Sequence, residues 1–390
     1  MEFGFTEEQQ RFRQEVRDFC EREPWGEIAT EIAPDYSPTF YRKVAEKGWL
    51  GLQFPKEYGG EGKDAIYDAI FAEEVGYTGA PIGSLYSLTV FLFGNLIFKC
   101  GTEQQKKEYL PRIIRGEITA GQAFTEPEAG SDLASVQTRA VRKGDYYIIN
   151  GQKMFTTYAH VQGGYSILMA RTDPNAHREQ GISLFILDNE TPGISYTPLM
   201  SMGGSRTNQV FLDNVKIPRE NLLGKENRGW DCFTQNKAYY WNKGRAYRLG
   251  RVEWMFDKVA QYAKETESNG HPLSHNSLIR QKLAEMVTDI KVMRLLTYRL
   301  AWMQSKDMDA LTFAAIVKVF SDEALLRFTN SAMQILSLHG QLERGARDAP
   351  LAGVVEQAYR WDAIRHFLDS GGACVTRNFV AHHGLGLPES

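Results

Sequence analysis

From residue 121 to about 226 the chain sets down half a dozen short β-prone runs with no helical pattern between them, and on both sides of that block the apolar spacing is helical. Parallel strands need crossover segments, usually helices, so an uninterrupted series of strands calls for an antiparallel sheet or a small barrel rather than βαβ units. The runs are residues 135–141, 146–149, 153–157, 165–170, 182–187 and 209–215, separated by Lys143-Gly-Asp, Asn150-Gly151, Asp173-Pro174 and Pro192-Gly193. Asn150-Gly151, between two such runs, is the strongest hairpin signal. The predicted class is therefore α+β and multidomain, with an N-terminal all-helical domain (1–120), a middle antiparallel β-domain (121–226) and a C-terminal four-helix bundle (227–390).

The flanking helices carry their own start signals. Thr6-Glu-Glu-Gln9 and Thr102-Glu-Gln-Gln105 are capping boxes, and Ser37-Pro38 is an N-cap followed by proline at the first helical position. The Thr102 helix is expected to stop at Leu110-Pro111. Pro81 to Phe98 carries no charged side chain and approaches membrane-spanning length, but it holds Gly83, Ser84, Ser87, Thr89, Gly94 and Asn95, so it reads as a buried core helix. Past residue 227, breaks at 268–272, 305–307 and 339–350 leave four long helical segments, the pattern of an up-and-down bundle.

Several function classes are excluded early. A net charge of −3 over 390 residues gives no electrostatic reason to expect nucleic acid. Four cysteines without CxxC spacing suggest a reducing, cytoplasmic location and no metal site. The N-terminus shows no basic flank before an apolar run, so no signal peptide is expected. No P-loop, HExxH or EF-hand pattern occurs, and no G-x-G-x-x-G opens a helix after a strand.

One loop, Gln122-Ala-Phe124-Thr125-Glu-Pro-Glu-Ala-Gly130-Ser131-Asp132, joins the first helical region to the strands. Pro127 fixes a bend, Gly130 permits angles closed to other residues, and the hydroxyls of Thr125 and Ser131 flank it, a composition suited to presenting polar groups to an electron-rich ligand. With Ile149-Asn-Gly-Gln-Lys-Met-Phe-Thr-Thr157, Met202-Gly-Gly-Ser-Arg-Thr-Asn208, Asn221-Leu-Leu-Gly224, Arg377-Asn-Phe-Val-Ala and Leu385-Gly-Leu-Pro388, in this order, the whole chain resembles the acyl-CoA dehydrogenase family.

The resemblance implies one FAD per subunit, an acyl-CoA substrate, an electron-transfer flavoprotein or similar acceptor as partner, and a homotetramer, or a mixed tetramer, built as a dimer of dimers. By carry-over, Phe124, Thr125, Gly130 and Ser131 contact the flavin or the substrate tail, and Thr157 reaches the flavin's reactive edge. Phe155 stands where the family more often has tryptophan, which preserves a stacking surface. Arg280 matches the arginine that a neighbouring subunit offers to the pyrophosphate, a role suited to a planar charged fork. Gln334 and Gly340 match the ends of a Gln-x-x-Gly-Gly-x-Gly loop across the dimer, with Ser337 and Leu338 in place of its middle glycines.

The family reaction removes an α-proton and a β-hydride from an acyl-CoA, and the proton needs a carboxylate. Here Ser370 occupies the usual glutamate position, Gly371-Gly372 stand for Gly-Thr, and the alternative site on the first bundle helix falls near Tyr240. Asp369, one residue early, is the candidate base; the plainer reading makes it an N-cap or a partner for Arg365. His366, three residues before Asp369, could pair with it, and the adjacent His382 and His383 diverge on a helix. Tyr239, Tyr240, Trp241 and Tyr247, where the family often has small residues, imply a short or ring-shaped acyl pocket if they line it. Three activities follow as expectations: formation of an α,β-enoyl thioester from a compact, branched or cyclic acyl-CoA; another flavin reaction on the same fold (β-elimination, enoyl-CoA reduction or oxygenation); or a base-lacking subunit of a mixed tetramer.

Overall fold

The computed structural model describes residues 4–33, 35–368 and 371–388, with the backbone course alone for 239–243 and 366. The N-terminal helices are α1 (Glu7–Arg22), α2 (Pro38–Glu46), α3 (Ala65–Thr78), α4 (Gly83–Cys100) and α5 (Glu103–Ile114). Both capping boxes form, with Thr6 and Thr102 accepting from the N3 amides of Gln9 and Gln105. Helix α4, uncharged up to Lys99 in its last turn, is the core of this domain: Leu85, Phe93, Leu96 and Ile97 are wholly buried, which explains the lack of a charged face, and its middle turns widen to π geometry over Ser87–Gly94. Helix α5 does not stop at Leu110-Pro111 but runs through Pro111 to Ile114. Burial of Ile113 and Ile114 holds that last turn, and the Arg115 amide reaches the Pro111 carbonyl at 3.1 Å.

The middle block is one sheet of β1 (Ala120–Ala123), β2 (Arg139–Lys143), β3 (Tyr146–Lys153), β4 (Tyr165–Arg171), β5 (Ile182–Asp188), β6 (Ile194–Met200), β7 (Arg206–Pro218) and β8 (Leu222–Leu223). Its order is β6-β7-β3-β2-β4-β5-β8, with β1 against β4. Pairing is antiparallel except where β1 and β2 meet β4. Strands β4 and β5 are covered on both faces. Ile167 and Met169 turn toward the N-terminal core and Leu168 and Ala170 toward the β-domain core, which is why these runs are continuously apolar. Asn150-Gly151 makes no hairpin; β3 passes straight through it with a register shift against β7. The Asn150 side chain accepts from the Asn214 amide at 2.8 Å, and a Cβ on Gly151 would lie 2.7 Å from Thr138 Cα, so the pair marks a bulge at a close approach of strands.

The C-terminal helices are α6 (Gly229–Glu265), α7 (Ser277–Ser305) and α8 (Leu311–Ile335), followed by a broken fourth segment over 354–368 and 373–384. Helix α3 crosses α6 at two glycines. A Cβ on Gly76 would strike the Tyr247 carbonyl and one on Gly250 the Glu73 carbonyl, so the backbones meet there and dock the N-terminal domain on the bundle. Arg13 and Arg294 converge on the buried Glu73 beside the crossing, the former at 2.7 Å.

Candidate functional site

The loop after β1 and the end of β3 form one unit, and a buried ion pair holds it. Lys153 is fully buried; its Nζ donates to the Phe124 carbonyl at 3.0 Å and to Glu126 Oε1 at 2.7 Å. The Glu126 carboxylate also accepts from the amides of Gln137 (2.6 Å) and Thr138 (2.9 Å). Burial lowers the Lys153 pKa to about 8. Burial works to raise that of Glu126, but the Lys153 ammonium and the amide donors outweigh it and leave it below the ordinary carboxylate value. A buried pair whose lone pairs are also satisfied by amides is a rigid anchor. Sequence reasoning quoted both residues inside its motifs and gave neither a role.

Around this anchor the backbone turns sharply. The Met154 amide donates to the Thr125 carbonyl at 2.8 Å, ending β3 at Lys153, so the strand expected over 153–157 is a turn beyond that residue. Phe155 sits at φ 55° and Tyr158 at φ 67°, a conformation disfavoured for bulky residues. The turn is fixed by Asn208, wholly buried, which exchanges bonds with the Thr156 backbone at 2.9 Å in each direction. His160 Nε2 donates to the Glu31 carbonyl at 2.9 Å, and Nδ1 takes the Asn208 amide at 3.1 Å. The result is an aromatic ring 58% exposed at the end of a buried strand, with the half-buried Thr125 and Thr157 on the same turn. The buried Thr156 hydroxyl finds no hydrogen-bond partner among the described residues. An exposed stacking face flanked by hydroxyls fits a flat heterocycle with a polar edge, which is the chemistry of a flavin.

The other predicted residues fall in two places. Phe124 is buried and packs edge-on against Phe233 of α6 at 5.3 Å, tying the loop to the bundle. Gly130 and Ser131 are exposed at the loop tip. Gly130 does not adopt a positive φ, contrary to expectation, and no atom of the described residues lies within 4 Å of a Cβ built there. The bend is made by the Pro127 turn, whose Glu126 and Ala129 backbones exchange hydrogen bonds of 3.0 and 3.2 Å, so Gly130 leaves the loop face open rather than relieving strain. Arg280, Gln334 and Gly340 lie on the bundle, the first two exposed, and no hydrogen bond or ion pair among the described residues joins them to the Phe155 turn. Ser337, in the place of a motif glycine, keeps a left-handed backbone at φ 57°. Asp369 and Ser370 lie outside the described residues, as do the side chains of Tyr239, Tyr240, Trp241 and His366. Gly371 at φ 79° and the Thr376 hydroxyl on its carbonyl at 2.6 Å define the far side of that loop.

Comparison with known proteins agrees domain by domain. Residues 6–117 match the acyl-CoA dehydrogenase N-terminal domain, 121–215 the middle domain and 227–384 the C-terminal domain. The chain is 36% identical to acyl-CoA dehydrogenase FadE29 of Mycobacterium tuberculosis over 402 residues, covering 100% of this chain and 99% of that one. It is 30% identical to the caffeyl-CoA reductase-Etf complex subunit CarC of Acetobacterium woodii, over 90% and 95% of the two chains. The solved Tcur3481-Tcur3483 steroid ACAD superposes with a TM-score of 0.90 at 31% identity, covering 100% of both chains. Matched along its length and in domain order, this chain belongs to the acyl-CoA dehydrogenase family, the FAD-dependent flavoprotein oxidoreductases.

Proposed function

We propose that the protein introduces an α,β double bond into a compact, branched or cyclic acyl-CoA thioester. The observation that carries this reading is the Phe155 turn, a strained and exposed aromatic platform anchored by the buried Lys153–Glu126 pair. Phe155 supplies a stacking face, Thr125 and Thr157 polar contacts at the ring edge, and the open loop at Gly130 and Ser131 room for the thioester's polar tail. Arg280, Gln334 and Gly340 are assigned to the dinucleotide of a neighbouring subunit in a homotetramer. Bound FAD accepts the β-hydride. The chain itself must take the α-proton, and Asp369, four residues after Arg365 in sequence, is the assigned base. Asp369→Ala should lower kcat by about 10²–10⁴-fold with FAD retained; near-full turnover would remove that assignment. An electron-transfer flavoprotein or similar acceptor is the expected partner, and the CarC relative is named as a subunit of a caffeyl-CoA reductase-Etf complex. The cytoplasm is the assigned location, in keeping with four free thiols.

The direct test is anaerobic: purified yellow protein should bleach on adding a substrate acyl-CoA. A second reading, a same-fold flavoprotein with a different reaction or a base-lacking partner in a mixed tetramer, is favoured by Ser370 and Cys374 at positions where the family pattern has acidic or amide groups. A reductase appears among the relatives, and the steroid ACAD carries two gene-product names. Product formation without an electron acceptor would favour the former alternative, and colourless protein that turns yellow only with a co-produced partner would favour the latter.

A further inference from the structure

Behind the Phe155 turn, all three domains contribute side chains to a polar junction. Tyr158, next in sequence to Thr157, is 1% exposed, and its hydroxyl lies 2.6 Å from the hydroxyl of Ser84 at the start of α4. Asp35 closes over the same point: a Cβ on Gly83, at φ 51°, would stand 2.5 Å from Asp35 Oδ1. That oxygen is buried and accepts no hydrogen bond among the described residues. From the bundle, Arg251 Nε reaches Asp362 at 3.0 Å and the Tyr247 side chain lies beside Arg251, all within electrostatic reach of Asp35.

The placement points along the path of an acyl group. On α6, positions 240, 244, 247 and 251 follow at helical spacing on one face, starting from the alternative base position. Gly244 leaves that face low: among the described residues only the Arg248 guanidinium comes within 4 Å of a Cβ built there. Arg365, within electrostatic reach of Asp35, lies four residues before Asp369 in sequence. The junction thus adjoins the flavin turn through Tyr158. The exposed Gly130–Ser131 loop gives the CoA moiety its way to solvent, which directs the acyl end inward.

We propose that this junction is the inner end of the acyl channel, and that it selects an acyl group bearing a neutral hydrogen-bond donor, a hydroxyl, for Asp35. The inference rests on the acyl-CoA dehydrogenase reading and adds the polarity of its substrate. A buried acceptor with no donor is unfavourable until a ligand supplies one, and a site built this way rejects the analogue that lacks the group. Two carboxylates, Asp35 and Asp362, face two guanidinium groups, Arg251 and Arg365, so a charged substituent would upset a balance that a hydroxyl preserves. Plain hydrocarbon would leave Asp35 Oδ1 desolvated and unmatched.

The test titrates FAD-loaded protein, anaerobically, with 3-phenylpropionyl-CoA and 3-(4-hydroxyphenyl)propionyl-CoA, which differ by one hydroxyl, reading the flavin absorbance. The wild type should bind the hydroxylated thioester more tightly by on the order of tenfold to a hundredfold. Asp35→Ala should bring that ratio close to one, and Tyr247→Phe, which keeps the ring, should reduce it. Equal binding by the wild type, failure of both thioesters to perturb the flavin, or a ratio that survives Asp35→Ala would overturn the proposal. Bleaching by any member of a broader acyl-CoA panel shows separately that the dehydrogenase reading stands.

Discussion

Ser337 holds φ 57° where the family motif has a glycine, so the fold keeps the conformation after losing the residue that adopts it most easily. A left-handed non-glycine residue costs roughly 1–2 kcal/mol. Ser337→Gly should therefore raise stability by about 1 kcal/mol and the melting temperature by a few degrees; an unchanged or lowered melting point would show that the serine side chain compensates. Asp35 permits a prediction with a defined sign. Burial raises its pKa from 3.8 to about 6, with Arg251 opposing and Asp362 reinforcing the shift, and with Arg365, Tyr158 and Tyr247 also facing it. A raised folded-state value means a contribution that is present below about pH 4 and lost as pH climbs through about 6. Relative to wild type, Asp35→Asn should gain stability between pH 4 and pH 7, by about 1–3 kcal/mol, read as the difference in melting temperature between the two proteins at each pH. A constant difference would mean that the carboxyl titrates normally.

At the scale of elements, the Phe155 turn and the loop after β1 stand or fall with Lys153. Lys153→Met strands the Glu126 carboxylate at 7% exposure, and breaking such a pair costs roughly 3–5 kcal/mol. Weaker FAD retention is the expected result, and Lys153→Met with Glu126→Gln should recover part of it; full FAD occupancy in the single variant would make the anchor dispensable. This device was not legible in the sequence, because a lysine in a strand and a glutamate beside a proline each read as surface residues until the register places them together. The motifs that did announce the loop gave its ligand class but misread Gly130, whose value is open space rather than backbone angle. The starts of the two helices with capping boxes were placed well because that signal is local, whereas the end of the Thr102 helix was not, because burial of Ile113 and Ile114 carries it through Pro111. Strand β6 was missed because Ile194–Met200 is an exposed edge strand containing Pro198, with little burial to impose a pattern. Asn150-Gly151 misled because the same pair that makes a tight turn also fits a bulge, and pairing with Asn214 decided between them.

For the whole molecule, the central claim is a three-domain enclosure of a flavin completed by a second subunit. Exposed Leu278, Leu295, Leu338 and Leu385 on the bundle suit an assembly surface, and mass measured in solution should correspond to a tetramer. Arg280→Ala should lower FAD occupancy without unfolding the chain, since its side chain is exposed and has no hydrogen bond or ion pair to the Phe155 turn among the described residues. The decisive measurement is the visible spectrum of the purified protein under anaerobic conditions, alone and after addition of cyclic and branched acyl-CoAs. The expected result is a bound-flavin spectrum, near one FAD per chain, whose long-wavelength band is lost on adding at least one thioester. Protein that binds no flavin, alone or with a partner chain, or a flavin band unmoved by every thioester, would contradict it.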